Sequence, residues 1–160
     1  MEFKKLLNSC PFEGTIMWMG IRSHHRSPLM TVETIQVSTE SGIVGDHYSK
    51  ADGNRQVTLI QWEYLDILES ILGFRPDVSQ LRRNIAVKGI NLNALKKSVF
   101  HIGDVELEGT GYCHPCSRME EILGTGGYHA MRGHGGITAR VLKPGKFSIH
   151  DKLTVNISES

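Results

Sequence analysis

The chain has 160 residues, 39% of them hydrophobic, and a formal net charge of +1. That length and apolar content suit one domain around one core, and the near-neutral balance gives no reason to expect nucleic acid or a membrane surface as partner. Three cysteines, with Cys10 far from Cys113 and Cys116, make no disulfide framework, and no apolar run reaches signal-peptide or membrane-span length, so a cytoplasmic protein is expected.

Strand signals outnumber helix signals along the chain. After a short lead, residues 14–21 (Gly-Thr-Ile-Met-Trp-Met-Gly-Ile) are β-prone. Ile35 and Val37 alternate with polar neighbours, and Glu40-Ser41-Gly42 makes a turn. Gln56 to Ile60 reads as a buried strand behind the turn Asp52-Gly53-Asn54. Trp62 to Leu72 reads as a helix, with Leu65, Leu68 and Leu72 on one stripe and Gly73 placed to end it. Asp77 to Leu81 and Asn93 to Lys97 each suit one turn of helix. Val105 and Leu107 alternate with Glu106 and Glu108, Arg140-Val141-Leu142 stops at Pro144-Gly145, and Leu153, Val155 and Ile157 alternate near the end. Ser23 to Ser27 and the Gly-rich run from Gly124 to Gly136 read as mobile loops. Many short strands with helices in the connections predict a mainly β fold, a closed or nearly closed barrel, as one domain over 1–160 with a core near 12–157.

The segment Tyr112-Cys113-His114-Pro115-Cys116-Ser117-Arg118-Met119-Glu120 concentrates the chemistry. Ser117 and Glu120 have capping-box spacing, with Met119, Ile122 and Leu123 as the apolar face behind them. On that reading Cys116 sits just before the N-cap, where free backbone N–H groups and Arg118 favour the thiolate, the form that attacks electrophiles and binds metals. Cys113 reads equally well as a small buried hydrophobe.

Cys113, Cys116, His129 and His134 also match the C-x2-C-x12-H-x4-H spacing of a zinc finger. The physical context argues against one. Its helix would have to absorb Gly124, Gly126, Gly127 and Gly133, each costing about 1 kcal/mol relative to Ala, and Glu120 stands where a finger buries an aromatic. The glycine clusters do not form G-x-G-x-x-G between a strand and a helix, and Pro144-Gly145-Lys146 lacks the rest of a P-loop. The C-x-x-C lacks a thioredoxin-like βαβ setting.

Taken in order, Gly42-Ile43-Val44-Gly45-Asp46-His47, Arg55-Gln56-Val57-Thr58-Leu59, Leu81-Arg82-Arg83-Asn84-Ile85, Ile102-Gly103-Asp104, Cys113-His114-Pro115-Cys116, and Arg140-Val141 through His150-Asp151 resemble a MOSC domain over roughly Phe12 to Ile157. This is the C-terminal domain of molybdenum cofactor sulfurases, which also occurs as small stand-alone bacterial proteins. The resemblance implies a barrel-like fold that holds the molybdenum cofactor (molybdopterin) or carries sulfur on a cysteine. It assigns Cys116 as the molybdenum ligand or persulfide donor, and it maps the Arg-x-Asn element onto Arg82 and Asn84, leaving Arg83 between them as no ligand. Reduction of N-hydroxylated compounds, an oxidoreductase chemistry, is the most concrete activity it implies; a sulfur carrier or cofactor chaperone without turnover is the alternative, and a zinc-stabilised module a third.

An anionic pterin cofactor needs cations and N–H donors, so Arg82 suits its phosphate and Asn84 its pterin edge. His47, Arg55, Arg118, His134 and Arg140 are further candidates for lining the pocket. His24 and His25 read as solvated loop residues, and Glu63, Glu69, Glu120 and Glu121 as helix-surface charges or caps. Pyridoxal phosphate binding belongs to the family through a separate sulfur-generating domain of the longer sulfurases, and neither that domain nor a second barrel is expected here. A cysteine desulfurase or an external reductase is therefore the expected partner, and an open-sided site would be closed by that partner or by a second copy.

Overall fold

Burial on both faces of a strand is what sets this architecture. The computed structural model describes residues 2–48, 50–51 and 53–155. A short helix α1 (Phe3–Leu7) precedes β1 (Gly14–Ile21), β2 (Met30–Thr31), β3 (Thr34–Ser38), β4 (Gly42–Ile43) and β5 (Val57–Gln61). Helix α2 (Tyr64–Leu72) leads to β6 (Ile85–Lys88), β7 (Val99–Ile102) and β8 (Val105–Tyr112). Helices α3 (Ser117–Leu123) and α4 (Gly127–Met131) follow, then β9 (Ile137–Lys143), β10 (Gly145–Ser148) and β11 (Lys152–Val155).

Seven strands close a barrel in the order β1-β6-β5-β9-β8-β7-β11, with β11 returning to β1 through Gly14 opposite Leu153 and Thr15 opposite Lys152. Closure leaves no long unpaired edge. Every barrel pairing is antiparallel except β5 with β6, which run parallel with Leu59 opposite Ile85. The chain between those two strands holds α2 and a 3-10 turn at Val78–Leu81, the crossover that a parallel pair requires. A small sheet, β10-β3-β4, adds Ile35, Val37, Ile43 and Phe147 to the barrel interior.

The core has two compartments. Ile16, Met19, Leu59, Ile85, Val87, Phe100, Ile102 and Leu107 point into the barrel. Trp18, Ile60 and Ala86 point outward from the same strands and are covered by Leu65 and Leu68 of α2, Met119 and Leu123 of α3, and Met131 of α4. That explains why all five residues of β5 are buried: one face meets the interior and the other meets the helices. A bulge between Ile16 and Trp18 shifts the phase of β1, so that Trp18 turns out and Met19 turns in.

The expected strands and the α2 helix are present, with Gly73 in the left-handed conformation (φ 84°) ending α2. The predicted turns at 77–81 and 93–97 are 3-10 turns at Val78–Leu81 and Leu92–Leu95, the first with a capping box between Asp77 and Gln80. Asp52 and Ile157, named in two of the sequence expectations, lie outside the described residues.

Two local expectations change. Helix α3 starts one residue early: Cys116 is its N-cap and makes no side-chain capping bond. Glu120 instead accepts from the backbone N–H of Gly126, tying α3 to the turn before α4. The Gly-rich run is also packed rather than loose. It contains α4, and Gly135 and Gly136 are buried where a Cβ would run into the carbonyl oxygens of Cys113 and Leu59. Glycine serves close backbone approach there, which composition alone does not distinguish from mobility.

Among the described residues, no helix is long and apolar enough to cross a membrane.

Candidate active site: an arginine-lined cavity at Cys116

Cys116, Arg82, Asn84, His47, Arg55 and Arg118 all line one cavity of about 360 Å³. They arrive from separate connections. Arg82 to Asn84 immediately precede β6, Arg55 precedes β5, His47 follows β4, and Cys116 and Arg118 begin α3. Arg22, which follows β1, and Arg26 complete a set of six arginines with Arg83. Among the described residues, Asp46 is the single acidic side chain in the lining. Its two oxygens accept from the backbone N–H groups of Arg22 (2.8 Å) and Tyr48 (3.3 Å), which pins the β4 connection to the end of β1.

The guanidinium groups are poorly compensated. Arg22 Nε and Arg118 Nε are buried without a hydrogen-bond partner among the described residues, although another nitrogen of Arg118 pairs with Glu121 at 3.0 Å. Arg82 adopts a left-handed backbone conformation (φ 59°) after the 3-10 turn, and among the described residues its guanidinium reaches only the Ser27 carbonyl, at 3.4 Å. Burial, then repulsion from Arg22 and Arg118, lowers the Arg82 pKa from its ordinary value, while Cys116 acts in the opposite sense. Such a cluster favours an anion in the space between the side chains.

Arg83 is built differently. It is buried, and its Nε donates to the Gly135 carbonyl at 2.7 Å. Its other nitrogens donate to the carbonyls of Leu81 (3.3 Å), Arg82 (3.5 Å) and Cys113 (3.4 Å). One side chain thereby joins the turn before β6, the cysteine segment and the loop before β9. Burial is the main cause lowering its pKa, with the neighbouring cysteines opposing it.

Asn84 is likewise committed to the scaffold. Its Oδ1 accepts from the Thr58 backbone N–H (3.1 Å) and hydroxyl (3.0 Å), and its Nδ2 donates to the Gly20 carbonyl at 3.1 Å. The amide therefore welds β5, β6 and β1 behind the cavity and has little left for reading a ligand edge.

Two of the sequence candidates lie elsewhere. His134 stacks edge-on against Tyr64 with ring centroids 4.8 Å apart. Arg140 pairs with Glu108 at 2.7 Å across the β8–β9 ladder. Neither lines the Cys116 cavity. Conversely, sequence reading passed over Arg22, Arg26 and His25, which do line it. The basic run Arg22-Ser23-His24-His25-Arg26 directly after a strand was the available signal. The rings of His25 and His47 lie 5.2 Å apart and bring that loop to the β4 connection. Among the described residues, no three His, Cys, Asp or Glu side chains are grouped to hold a metal by themselves.

Residues 22–154 match the MOSC domain family. The chain belongs to that family. Its members are associated with molybdenum cofactor binding. The MOSC fold is also seen in the comparison with solved structures. YuaD from Bacillus subtilis superposes with a TM-score of 0.78 at 20% identity, over 92% of this chain and 97% of that one. YiiM from Escherichia coli superposes with a TM-score of 0.65 at 17% identity, over 90% of this chain and 72% of that one. YiiM from Geobacillus stearothermophilus gives 0.66 at 15% identity, over 91% and 75%. At these identities the likeness is one of fold. No curated protein matches the chain.

Proposed function

We propose that this MOSC domain binds the molybdenum cofactor in the arginine-lined cavity, with Cys116 as the thiolate ligand to the metal. The observation that supports this reading best is the charge mismatch: six arginines line a space to which the described residues contribute one carboxylate, and that carboxylate is already engaged by backbone N–H groups. Arg22, Arg82 and Arg118 are half-buried, the Nε atoms of Arg22 and Arg118 are buried without a partner among the described residues, and an anionic ligand between these like charges offsets their repulsion. The donor set also fits the cofactor's two ends, a phosphate and a sulfur-bound, oxo-rich metal. Arg82 and Arg22 are suited to grip the phosphate through paired N–H donors. Arg55, Arg118 and His47 would line the remainder, with Cys116 the thiol that borders this space.

When bound, the cofactor would supply oxygen-atom transfer, for which reduction of an N-hydroxylated compound is the most concrete reaction. The protein's part is to bind and orient. Arg83 holds the cysteine segment against the barrel, Asn84 fixes the strands that carry Arg82, and Asp46 sets the loop that brings Arg22 alongside. Electrons would come from an external reductase.

The exposure of Cys116 supports a second reading, in which it carries a persulfide loaded by a cysteine desulfurase. Elemental analysis by mass spectrometry separates the two, on protein from a molybdopterin-producing host purified without metal-affinity resin and paired with fluorescence detection of oxidised pterin. Stoichiometric molybdenum and pterin, lost in Cys116→Ser and reduced in Arg82→Gln, are expected. Absence of both, with persulfide forming on Cys116 after incubation with desulfurase and cysteine, would replace the first reading by the second. Stoichiometric zinc would overturn both.

A further inference from the structure

A second cavity, of about 540 Å³, is lined by the Cys113 end of the same segment. Its volume falls in the range typical of small-molecule sites, about 300–1,000 Å³. The walls are aromatic. Tyr112 is 45% exposed and Tyr128 42% exposed, so each leaves much of its ring open to solvent. The floor is backbone, because Gly135 and Gly136 have no room for a Cβ against the Cys113 and Leu59 carbonyls. Exposed rings above a floor of bare backbone leave space for a flat ligand to stack.

Charge narrows the ligand further. Among the described residues, no Asp or Glu lines this cavity. Arg132 lines it, is exposed, and has no ion pair or side-chain hydrogen bond among the described residues. The Lys96 ammonium lies 4.2 Å above the Tyr112 ring and adds positive potential at that wall. Asn93 donates to the Tyr64 hydroxyl through Nδ2 at 3.0 Å, which leaves its carbonyl oxygen as an acceptor at the edge. A shallow shelf bordered by Pro115, Cys116, Ser117, Tyr128 and Glu120, whose carboxylate accepts from the Gly126 N–H, lies between this cavity and the cysteine. Pro115 and Tyr128 belong to both the shelf and the aromatic cavity, and Cys116 belongs to both the shelf and the arginine cavity.

We infer that the aromatic cavity is a second binding site, for a small flat aromatic anion such as an arene carboxylate. The ring stacks between the tyrosines over the glycine floor, and the anionic group faces Arg132. The site stands on its own geometry; a role as substrate site for chemistry at Cys116 rests on the cofactor reading above.

The test is a ¹H–¹⁵N NMR titration of the full chain with benzoate, run in inorganic phosphate so that the arginine cavity is already occupied. Benzoate is expected to shift the backbone amides of Gly133, Gly135 and Gly136 and to leave those of Asp46 and His47 unmoved. Benzylamine and cyclohexanecarboxylate, which lack the charge or the flat ring, are expected to bind about tenfold more weakly. Tyr128→Ala and Arg132→Gln should each weaken benzoate about tenfold while the barrel amides keep their positions. Shifts confined to Arg22, Asp46 and His47, equal binding of cyclohexanecarboxylate, or no shift at all would overturn the proposal. A separate phosphate titration in a non-coordinating buffer keeps the two readings apart. If phosphate leaves the Arg22 and Asp46 amides unmoved while benzoate shifts the glycines, the cofactor reading fails and the aromatic site stands.

Discussion

The two cavities beside the Cys113–Cys116 segment are built by opposite means. The arginine cavity is assembled from long side chains delivered by four separate connections, so its shape depends on charges that repel one another. The aromatic cavity takes its floor from backbone, where Gly135 and Gly136 lie too close to neighbouring carbonyls for any side chain. One is a cationic surface under electrostatic tension, and the other is a rigid concavity set by close backbone approach. Arg83 belongs to both, because it clamps the Gly135 and Cys113 carbonyls of the second while lining the first.

The sharpest way to break this comparison is Gly136→Ala. Gly136 has φ 90°, and an added Cβ would press on the Leu59 carbonyl of β5. A loss of roughly 3 kcal/mol or more is expected from overpacking and left-handed strain together, read as a collapsed thermal transition or insoluble expression. A wild-type transition would show that the floor is deformable.

Next in size is Arg83→Met, which leaves the Gly135 and Cys113 carbonyls without their donor. A cost of about 3 kcal/mol is expected, measured by urea unfolding, with Cys113 becoming open to alkylation in the native state. A gain in stability would mean that the buried charge, and not its hydrogen bonds, dominates.

Arg82→Gln should behave in the contrary way. Its guanidinium has a single long hydrogen bond and cationic neighbours, so stability should stay within about 0.5 kcal/mol of wild type. Affinity for inorganic phosphate, followed by calorimetry, should fall about tenfold. A matching loss of stability would make Arg82 a scaffold residue like Arg83.

The smallest effect concerns a distant control, Asp77→Ala, at the capping box before Arg82. About 1 kcal/mol should be lost. Hydrogen bonds from the Ser79 side chain and backbone hold the Asp77 carboxyl below its ordinary value. Its contribution is therefore fully present above the unfolded carboxylate pKa and fades as pH falls through the lower folded one. Unfolding curves in acid should show wild type and variant converging below that window.

Where one physical cause acts alone, the sequence was readable. The β-prone run Val57-Thr58-Leu59-Ile60 of β5 and the Leu65–Leu68 stripe of α2 needed no partner to interpret. The bulge that reverses the phase of Trp18 was not readable, since both of its faces are apolar. Glycine was ambiguous for a related reason, because a residue without a side chain permits motion or close contact, and only its neighbours decide which. In the site, the helix-start pattern pointed to Cys116, and a resemblance pointed to Arg82. Spacing could not separate Arg82, which faces the cavity with a largely unpaired guanidinium, from Arg83, which reaches four carbonyls. The commitment of Asn84 to Thr58 and Gly20 was equally invisible, because its partners lie 26 and 64 positions away.

Closure of the barrel by β11 against β1 has a consequence for how the chain reaches this state. The first long strand must wait for β11, so the seam from Gly14 to Leu153 cannot form until both strands have been synthesised. Until then β1 has β6 on one side and only β2, at Gly20 and Ile21, on the other, which leaves its Gly14–Thr15 end open to any extended segment nearby. Non-local pairing of this kind slows folding, and an open strand end is where neighbouring nascent chains do harm.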